Sequence, residues 1–317
     1  MRILITGASG FVGQALCKQA KRQNFDVRGA LRKDNNLPLD VETITVGEIN
    51  ASTDWTNALL NVDVVIHLAA RVHMMKDHSA DPLAEFRKVN VQGTENLALQ
   101  AARAGVKRLV FVSSIKVNGE TTSGNTIYSE TDSPAPQDPY AVSKYEAEQA
   151  LQRIAQNTGL EIVILRPPLV YGPGVKGNFA QMLKVLKKGI PLPFASIRNR
   201  LSLIYVENLV AALLVCATHP AAAGQTYLVS DGLEISTPDL LNRLGSAMNH
   251  PARLFPCPPA FLKLAGHLIG KSNQIERLLG SLRIDSGKIR RELNWSPPRS
   301  LEEGLNITGT LFRNYKS

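Results

Sequence analysis

The fold is decided by the first residues of the chain, MRILITGASGFVG (1–13). Arg2–Thr6 is an apolar run typical of a buried strand, and a helical pattern begins at Phe11. Between them lie Gly7, Gly10 and Gly13, in the spacing GxxGxxG. Glycines at a strand-to-helix turn let the backbone approach a pyrophosphate, which the helix N-terminus also attracts. At the start of a βαβ pattern, this spacing predicts a dinucleotide-binding loop.

The first half of the chain continues this alternation of short apolar runs and helical stretches. Strands are predicted at Asp26–Leu31, Val41–Val46, Asp63–Leu68, Arg108–Ser113 and Glu161–Leu165, and helices at Phe11–Gln23, Glu85–Ala104 and Pro139–Thr158. The alternation predicts an α/β fold with a doubly wound parallel sheet of the Rossmann type, because right-handed crossovers place helices on both faces. We expect residues 1–171 to form this dinucleotide-binding domain. Residues 172–317 are expected to form a smaller, mostly helical substrate lobe, from which strands such as Thr226–Val229 can return to the main sheet.

Composition narrows the class of protein. The 317 residues carry a net charge of +9 and are 44% hydrophobic, which is typical of a globular protein with an ample core. The charges are dispersed along the chain, so we expect an anionic ligand and a solvated surface rather than a nucleic-acid partner. The basic stretch Arg253–Arg291 is interpreted as an ordinary helical lobe rather than a membrane or partner contact.

The apolar runs and the cysteines bear on the cellular compartment in which the protein is expected. No run reaches the roughly 18–20 apolar residues that a membrane span needs, and the N-terminus enters the glycine loop too early for a signal peptide. Cys17, Cys216 and Cys257 are scattered, with neither metal-ligand nor disulfide spacing. We therefore expect a cytoplasmic protein without a metal site.

The end of the second predicted strand bears on the choice of nicotinamide cofactor. An NAD site usually has Asp or Glu there for the ribose 2′-hydroxyl, whereas an NADP site has Arg near the 2′-phosphate. The expected acidic position is Leu31, and Arg32 and Lys33 follow it. We expect NADP(H), with NAD(H) as the alternative, because these two side chains can clamp a phosphate.

A tyrosine, a lysine and two serines form the candidate catalytic group. Tyr140 and Lys144 are four residues apart in a predicted helix and therefore share one face. A lysine ammonium and an oxidised nicotinamide both favour the phenolate, which turns a tyrosine with a pKa near 10 into a usable acid and base. Ser113 and Ser114 end a predicted strand at the carboxyl edge of the sheet, where a hydroxyl can hydrogen-bond the reacting oxygen.

Seven motifs along nearly the whole length resemble one known group of proteins. They are GASGFVG (7–13), VIHLAA (65–70), VNVQGT (89–94), FVSSIKVNG (111–119), YAVSK (140–144), LRPPLVYGPG (165–174) and RELNW (291–295). The chain resembles the extended short-chain dehydrogenase/reductases, particularly the nucleotide-sugar epimerase/dehydratase group. This resemblance implies an NAD(P)-dependent enzyme acting on a UDP-sugar, and a homodimer is the common assembly of that group.

The resemblance also implies residue roles by position. Ser114, Tyr140 and Lys144 match the catalytic triad, and the backbone of Phe11 and Val12 would meet the pyrophosphate. The other implied cofactor contacts are Gly7, Gly10, Gly13, Glu48, Ile49, Leu68, Ala69, Ala70, Asn90, Ser113 and Pro167. On the substrate side, the implied contacts are Asn178 and Phe179 at a helix start, Arg200 and Arg283 for the diphosphate, and His73 toward the sugar.

Departures from the group's pattern limit the possible reactions. Ile115-Lys116 replace the Asp-Glu pair that sugar 4,6-dehydratases use, so dehydration is rejected. Asn118 replaces the usual tyrosine after the serine motif, and Pro168-Leu169 stand where many relatives have asparagine. These changes leave the identity of the sugar open.

Two enzymatic interpretations and one of another class remain. Because Arg32 and Lys33 favour NADPH, we expect reduction of a UDP-4-keto-6-deoxy-N-acetylhexosamine in cell-surface polysaccharide synthesis. The alternative is a UDP-glucose or UDP-N-acetylglucosamine 4-epimerase with tightly bound NAD. A catalytically silent cofactor sensor or RNA-binding regulator is the third, and the intact Ser114, Tyr140 and Lys144 speak against it.

Overall fold

A computed structural model describes residues 1–33, 37, 41–72, 79, 81–268, 270 and 272–314. The strands in these ranges are β1 (Arg2–Thr6), β2 (Asp26–Leu31), β3 (Glu42–Thr45), β4 (Val64–His67), β5 (Arg108–Val112), β6 (Glu161–Arg166), β7 (Leu169–Tyr171), β8 (Leu201–Tyr205), β9 (Thr226–Leu228) and β10 (Glu234–Ile235). The α-helices are α1 (Phe11–Arg22), α2 (Pro82–Arg87), α3 (Gly93–Arg103), α4 (Pro139–Thr158), α5 (Gly177–Lys187), α6 (Val206–Thr218), α7 (Thr237–Ala247), α8 (Pro259–Leu268), α9 (Ser272–Leu279), α10 (Gly287–Leu293) and α11 (Leu301–Asn314).

The main sheet within the described residues has seven strands in the order β3-β2-β1-β4-β5-β6-β9. All of its neighbouring strands run parallel. The predicted doubly wound Rossmann sheet is therefore confirmed. Strand β1 pairs with β2 on one side and with β4 on the other, so the strand order reverses between β1 and β4. In open parallel sheets such a reversal opens a crevice at the carboxyl ends of the strands.

Both faces of the inner strands of this sheet are buried, whereas the edge strand β3 is largely exposed. Along β5, Val110 belongs to the core under α1 and α6, whereas Leu109 and Phe111 belong to the core under α3 and α4. Side chains alternate between the two faces of a strand, so a strand covered on both faces must be apolar throughout. The continuous apolar runs that predicted buried strands follow from this arrangement.

One helix departs from the sequence prediction. The predicted single helix Glu85–Ala104 begins earlier, at Pro82, because Asp81 caps it and accepts a bond from the Ala84 amide at 3.1 Å. It also contains a π-helical turn, Lys88–Gln92, between α2 and α3. Such turns insert one extra residue into the helical repeat and often mark functional sites.

The region after Tyr171 contributes to two sheets. In the described residues, β10, β8 and β7 form a second, three-stranded sheet, which covers a third core with α5, α7 and α11. Strand β9 instead pairs in parallel with β6 at the edge of the main sheet. The second sheet was not expected from the sequence, and the boundary at residue 171 stays a prediction. No helix in the described ranges is long and apolar enough to cross a membrane.

Candidate active site

The glycine loop forms a tight cradle between β1 and α1. Gly7 has a positive φ of +67°, and a Cβ on Gly13 would lie 2.2 Å from the Gly7 carbonyl oxygen. A Cβ on Gly10 would lie 3.1 Å from the same oxygen. Helix α1 starts at Phe11 with neither a side-chain cap nor an acidic residue in its first turn. Its amides and positive end therefore remain available to an anionic ligand.

A buried hydrogen-bond chain fixes the opposite wall of the cradle. Thr6 Oγ1 accepts from the Leu68 and Ala69 amides at 3.2 and 3.1 Å and lies 2.6 Å from His67 Nδ1. The hydroxyl proton of Thr6 must then point to Nδ1, which places the imidazole proton on Nε2, 2.9 Å from Thr94 Oγ1. Burial, reinforced by a nearby lysine charge, lowers the pKa of His67 to about 3, so the ring stays neutral.

Helix α4 brings Lys144 to the end of β5. Lys144 Nζ donates to the Val112 carbonyl at 2.7 Å and lies 4.3 Å from the centroid of the Phe111 ring. Burial lowers the pKa of Lys144 to about 7, although the Glu148 carboxylate opposes this effect. Tyr140 lies one helical turn before Lys144 on the same helix, as its spacing predicted.

The surroundings of Tyr140 favour its protonated form. Burial first, and then the charge of Asp138, raise the pKa of the Tyr140 phenol. Asp138 caps α4 by accepting from the Ala141 amide at 2.7 Å, and Lys116 Nζ lies 2.5 Å from its other oxygen. Phe86 meets the tyrosine ring edge-on, with ring centroids 6.0 Å apart. A phenolate at Tyr140 therefore needs positive charge nearby, and Lys144, one turn along the same helix, is the candidate to supply it.

The two serines after β5 have different environments. Ser114 is partly exposed, and its Oγ accepts from the Lys116 amide at 3.3 Å. Ser113 is buried, and its Oγ has no hydrogen-bond partner among the described residues. A buried hydroxyl without a partner indicates a group that the protein alone does not provide.

Asn90 lies in the π-helical turn and holds the segment that follows β4. Its Oδ1 accepts from the Arg71 amide at 2.8 Å, and its Nδ2 donates to the Arg71 carbonyl at 3.0 Å. The same Nδ2 donates to Ser143 Oγ at 2.9 Å, which ties the segment to α4. Asn90 is therefore buried, and Ala70 is partly exposed just before Arg71, the residue that Asn90 holds.

The residues predicted to surround the adenosine end lie at the ends of β2 and β3. Leu31 is buried, while Arg32 and Lys33 are exposed immediately after β2. Glu48 is exposed, and Ile49 packs against Gly93, where a Cβ would lie 2.6 Å from its Cγ2. Within the described residues, no acidic side chain stands at the end of β2 itself, which agrees with the sequence observation.

The two arginines predicted for the diphosphate meet on one carboxylate. Arg283 Nε donates to Glu234 Oε1 at 2.7 Å, and Arg200 Nη1 lies 3.9 Å from Glu234 Oε2. The Arg200 side chain is 62% exposed and free to turn, whereas that of Arg283 is 11% exposed. The sequence did not identify Glu234, which lies on the short strand β10 and has no local motif around it.

The remaining predicted site residues differ in their exposure to solvent. Asn178 is exposed in the first turn of α5. Phe179 is buried, with its ring stacked on Tyr171 at a centroid distance of 5.9 Å, so only its backbone can reach a ligand. Pro167, which was predicted as a cofactor contact, is buried, and its carbonyl accepts from the Ile115 amide at 3.0 Å. His73 lies outside the described residues.

These features fit a bound dinucleotide. The glycine cradle leaves space that a Cβ would fill, the helix end offers uncapped amides, and the Ser113 hydroxyl lacks a partner among the described residues. In contrast, the part of the chain that the structure describes holds no group of three or more His, Cys, Asp or Glu side chains arranged for a metal ion.

Comparison with known proteins identifies the family. Residues 3–230 match the model of the NAD dependent epimerase/dehydratase family. The chain belongs to that family. The resemblance to the extended short-chain dehydrogenase/reductases is thereby confirmed, and this family member is a nicotinamide-dinucleotide enzyme.

Relatives of this family member are similar over almost their whole length. It is 45% identical over 316 residues to a Vibrio cholerae protein described as UDP-glucose 4-epimerase, covering 98% of this chain and 95% of the other. It is 26% identical to the N-acetyl-alpha-D-glucosaminyl-diphospho-ditrans,octacis-undecaprenol 4-epimerase of Escherichia coli O157:H7, covering 96% and 93%. Its fold matches the crystal structure of the Thermus thermophilus UDP-glucose 4-epimerase complexed with NAD, with a TM-score of 0.81, 24% identity and 99% coverage of both chains.

Proposed function

We propose that this protein is a UDP-hexose 4-epimerase that retains NAD between turnovers. Tyr140, Lys144 and Ser114 are the proposed catalytic residues. The proposal rests on one arrangement, in which Lys144 anchors α4 to the end of β5 while Tyr140 lies one turn away on the same helix, with its ring against Phe86. The 45% identical Vibrio cholerae relative supports epimerisation over reduction as the reaction.

We assign proton transfer to Tyr140. As phenolate, it takes the proton from the C4 hydroxyl of the sugar, and as phenol it returns a proton to the C4 oxygen on the opposite face of the turned sugar. Lys144 supplies the positive charge that the phenolate needs against burial and Asp138. Ser114 donates a hydrogen bond to the same oxygen. A nicotinamide dinucleotide held at the cradle of Gly7, Gly10 and Gly13 would supply the hydride chemistry at C4.

The diphosphate of the substrate is assigned to Arg200, Arg283 and the start of α5. Glu234 holds Arg283 in place and leaves the exposed Arg200 able to swing onto a phosphate. The exposed Asn178 and the uncapped amides at the start of α5 offer hydrogen bonds to the same group. His73 stays a proposed sugar contact from the sequence.

NAD is proposed in place of the NADP(H) expected from the sequence. A redox-neutral epimerase consumes no cofactor, and the Thermus thermophilus epimerase of the same fold is complexed with NAD. The exposed Arg32 and Lys33 at the end of β2 favour the second candidate, an NADPH-dependent reductase of a UDP-4-keto-sugar, because either side chain can contact a 2′-phosphate.

One experiment separates the two reactions. The purified protein is incubated with UDP-glucose or UDP-N-acetylglucosamine and no added nucleotide, and products are resolved by chromatography. The proposal expects the C4 epimer to form, with NAD released from the denatured protein and identified by mass spectrometry. Tyr140→Phe should lower the rate by at least about a hundredfold without loss of bound NAD.

Two results would contradict the proposal. A protein that forms no epimer but oxidises NADPH when given a UDP-4-keto-sugar is a reductase, and the epimerase proposal is then wrong. If Tyr140→Phe retained full activity in either assay, the assignment of the catalytic residue would fail.

A further inference from the structure

The positive charge of the chain is concentrated in two segments. Residues 176–200 and 250–283 together hold 11 of the 36 Lys and Arg residues, but only one of the 27 Asp and Glu residues, Glu276. The rest of the chain is therefore close to neutral, although the charges look dispersed along the sequence. Two of the eleven, Arg200 and Arg283, are held by Glu234 in the candidate site.

The fold brings these two segments together. Leu192 donates through its amide to the Arg253 carbonyl at 2.8 Å, and the Phe255 amide donates to the Leu192 carbonyl at 3.0 Å. The segment that follows α5 and the segment that precedes α8 thus lie side by side. Among the basic residues of this region, Lys184, Lys188, Arg253 and Lys263 are exposed.

Exposed apolar side chains occur in the same region. On α8, Phe261, Leu264 and Leu268 are 64%, 57% and 76% exposed, and their spacing of three and four residues puts them on one helical face, which we call the apolar face of α8. Ile190 and Phe255, on the two paired segments, are also exposed. Isolated exposed apolar residues are common, but a group of this kind marks an interaction surface.

The other side of α8 is covered by the rest of the protein. Leu262 is buried, and a Cβ on Gly266 would lie 2.7 Å from Ile275 of α9. Helix α9 thus covers the inner side of α8 and leaves the apolar face outward. Arg277 of α9 reaches Glu120 at 3.4 Å and Asp138 at 3.8 Å, beside the cap of the helix that carries Tyr140.

We propose that the apolar face of α8, with the exposed bases of the two segments, docks this protein on an anionic bilayer surface, in place of the ordinary helical lobe expected from the sequence. A short amphipathic helix with Phe and Leu on one face and Lys or Arg beside them lies in the headgroup region, where anionic lipids attract the bases. The charge of the two segments, eleven basic residues against one carboxylate residue, requires an anionic occupant. The exposed Phe261, Leu264 and Leu268 favour a lipid surface among such occupants, because they can enter its apolar layer. Docking involves no spanning segment and is independent of the proposed reaction.

Vesicle sedimentation tests the proposal on the full chain. The protein should sediment with vesicles of phosphatidylcholine mixed with phosphatidylglycerol, and should not sediment with phosphatidylcholine alone. A triple variant, Phe261→Ser, Leu264→Ser and Leu268→Ser, should lower the bound fraction by about tenfold or more. Leu60→Ser is the matched control, because Leu60 is 61% exposed in the turn before β4, outside the two basic segments, and should change nothing.

A charge-changing pair extends the test. Lys184→Gln with Lys188→Gln should weaken binding to the mixed vesicles, because each base near an anionic surface contributes to binding. The exposed Lys18 and Lys107 lie outside the two segments, so the same substitutions there should leave binding unchanged.

Three results would overturn the proposal. The wild-type chain could stay in the supernatant with the mixed vesicles, or the triple variant could bind as well as the wild type. Sedimentation velocity could also show a wild-type dimer that the triple variant converts to monomers without loss of vesicle binding. In that third case the apolar face is an interface between copies of the chain.

Discussion

At the scale of single residues, the candidate site is organised by opposite effects of burial on two side chains. Burial raises the pKa of Tyr140 and lowers that of Lys144 to about 7. The Tyr140 phenolate and the Lys144 ammonium are therefore each unfavourable alone. Because their charges are opposite, the presence of one favours the other. The pair suits a group that must release and recover a proton near neutral pH.

Gly13 provides a test of the cradle. In Gly13→Ala the new Cβ would lie 2.2 Å from the Gly7 carbonyl oxygen, so the loop must shift. We expect the purified variant to contain little bound dinucleotide and to lose about 1–3 kcal/mol of unfolding free energy. Gly245→Ala is the control, because its Cβ would also crowd backbone atoms, at 2.8 Å from the His250 carbonyl oxygen, but in α7 and outside the cradle. Equal dinucleotide content in both variants would contradict this account.

His67 makes folding stability depend on pH. Its pKa is about 3 in the folded protein and about 6.5 in the unfolded chain, so below pH 6.5 only the unfolded chain takes up the proton. The stabilisation is complete above about pH 6.5 and is lost as the pH falls, with a slope near 1.4 kcal/mol per pH unit. We expect His67→Gln to remove that slope between about pH 6 and 5, as measured by urea unfolding.

The exposed His250 serves as the control for this measurement. His250→Gln should leave the pH dependence of the unfolding free energy unchanged. If His67→Gln had the same slope as the wild type, His67 would not be the buried neutral group described above.

At the scale of secondary-structure elements, α4 shows how far the sequence determines local structure. Its predicted bounds, Pro139–Thr158, are those of the structure. Asp138 caps the start, Pro139 fits the first helical position, and Gly159 ends the helix with a φ of +74°. Such signals are local, so they can be recognised without the rest of the fold.

Features that depend on distant contacts were not predictable in this way. The π-helical turn at Lys88–Gln92 has no sequence signal, because it reflects how Asn90 must meet both Arg71 and Ser143. The pairing of Arg200 and Arg283 through Glu234 joins three separate parts of the chain. Motif positions named the candidate site residues, whereas partners such as Glu234 and Arg71 became visible only in three dimensions.

A buried ion pair joins α4 to β6 and can be tested with a mutant cycle. Arg166 donates to Glu148 at 2.9 Å and to Asn118 at 3.0 Å, and both charged side chains are almost fully buried. Arg166→Met should cost about 3–5 kcal/mol, because it leaves a carboxylate buried without its partner. Adding Glu148→Leu should recover much of that loss, as measured by urea unfolding.

An exposed ion pair gives the comparison. Arg243 lies 3.9 Å from Glu302, and both side chains are at least half exposed. Arg243→Met should cost less than about 1 kcal/mol. If Arg166→Met were equally mild, burial would not determine the energetics of the Glu148 pair.

At the scale of the whole molecule, the two halves of the chain share one core. Leu209 and Leu213 of α6 pack in the same cluster as Ile5 and Ile66, although they follow the predicted boundary at residue 171. We therefore expect residues 1–171 alone to lack the cooperative thermal unfolding of the full chain, as followed by circular dichroism. A monomeric, cooperatively unfolding fragment of 1–171 would show that the first half folds independently.

The return of β9 to the edge of β6 also has a consequence for synthesis on the ribosome. The β6 strand ends at Arg166 and its neighbour is complete only at Leu228, about 60 residues later. At translation speeds of roughly 5–20 residues per second, the nascent sheet waits about 3–12 seconds with an open edge. An open strand edge is a template for pairing with other chains, so this interval is when chaperones would be needed most.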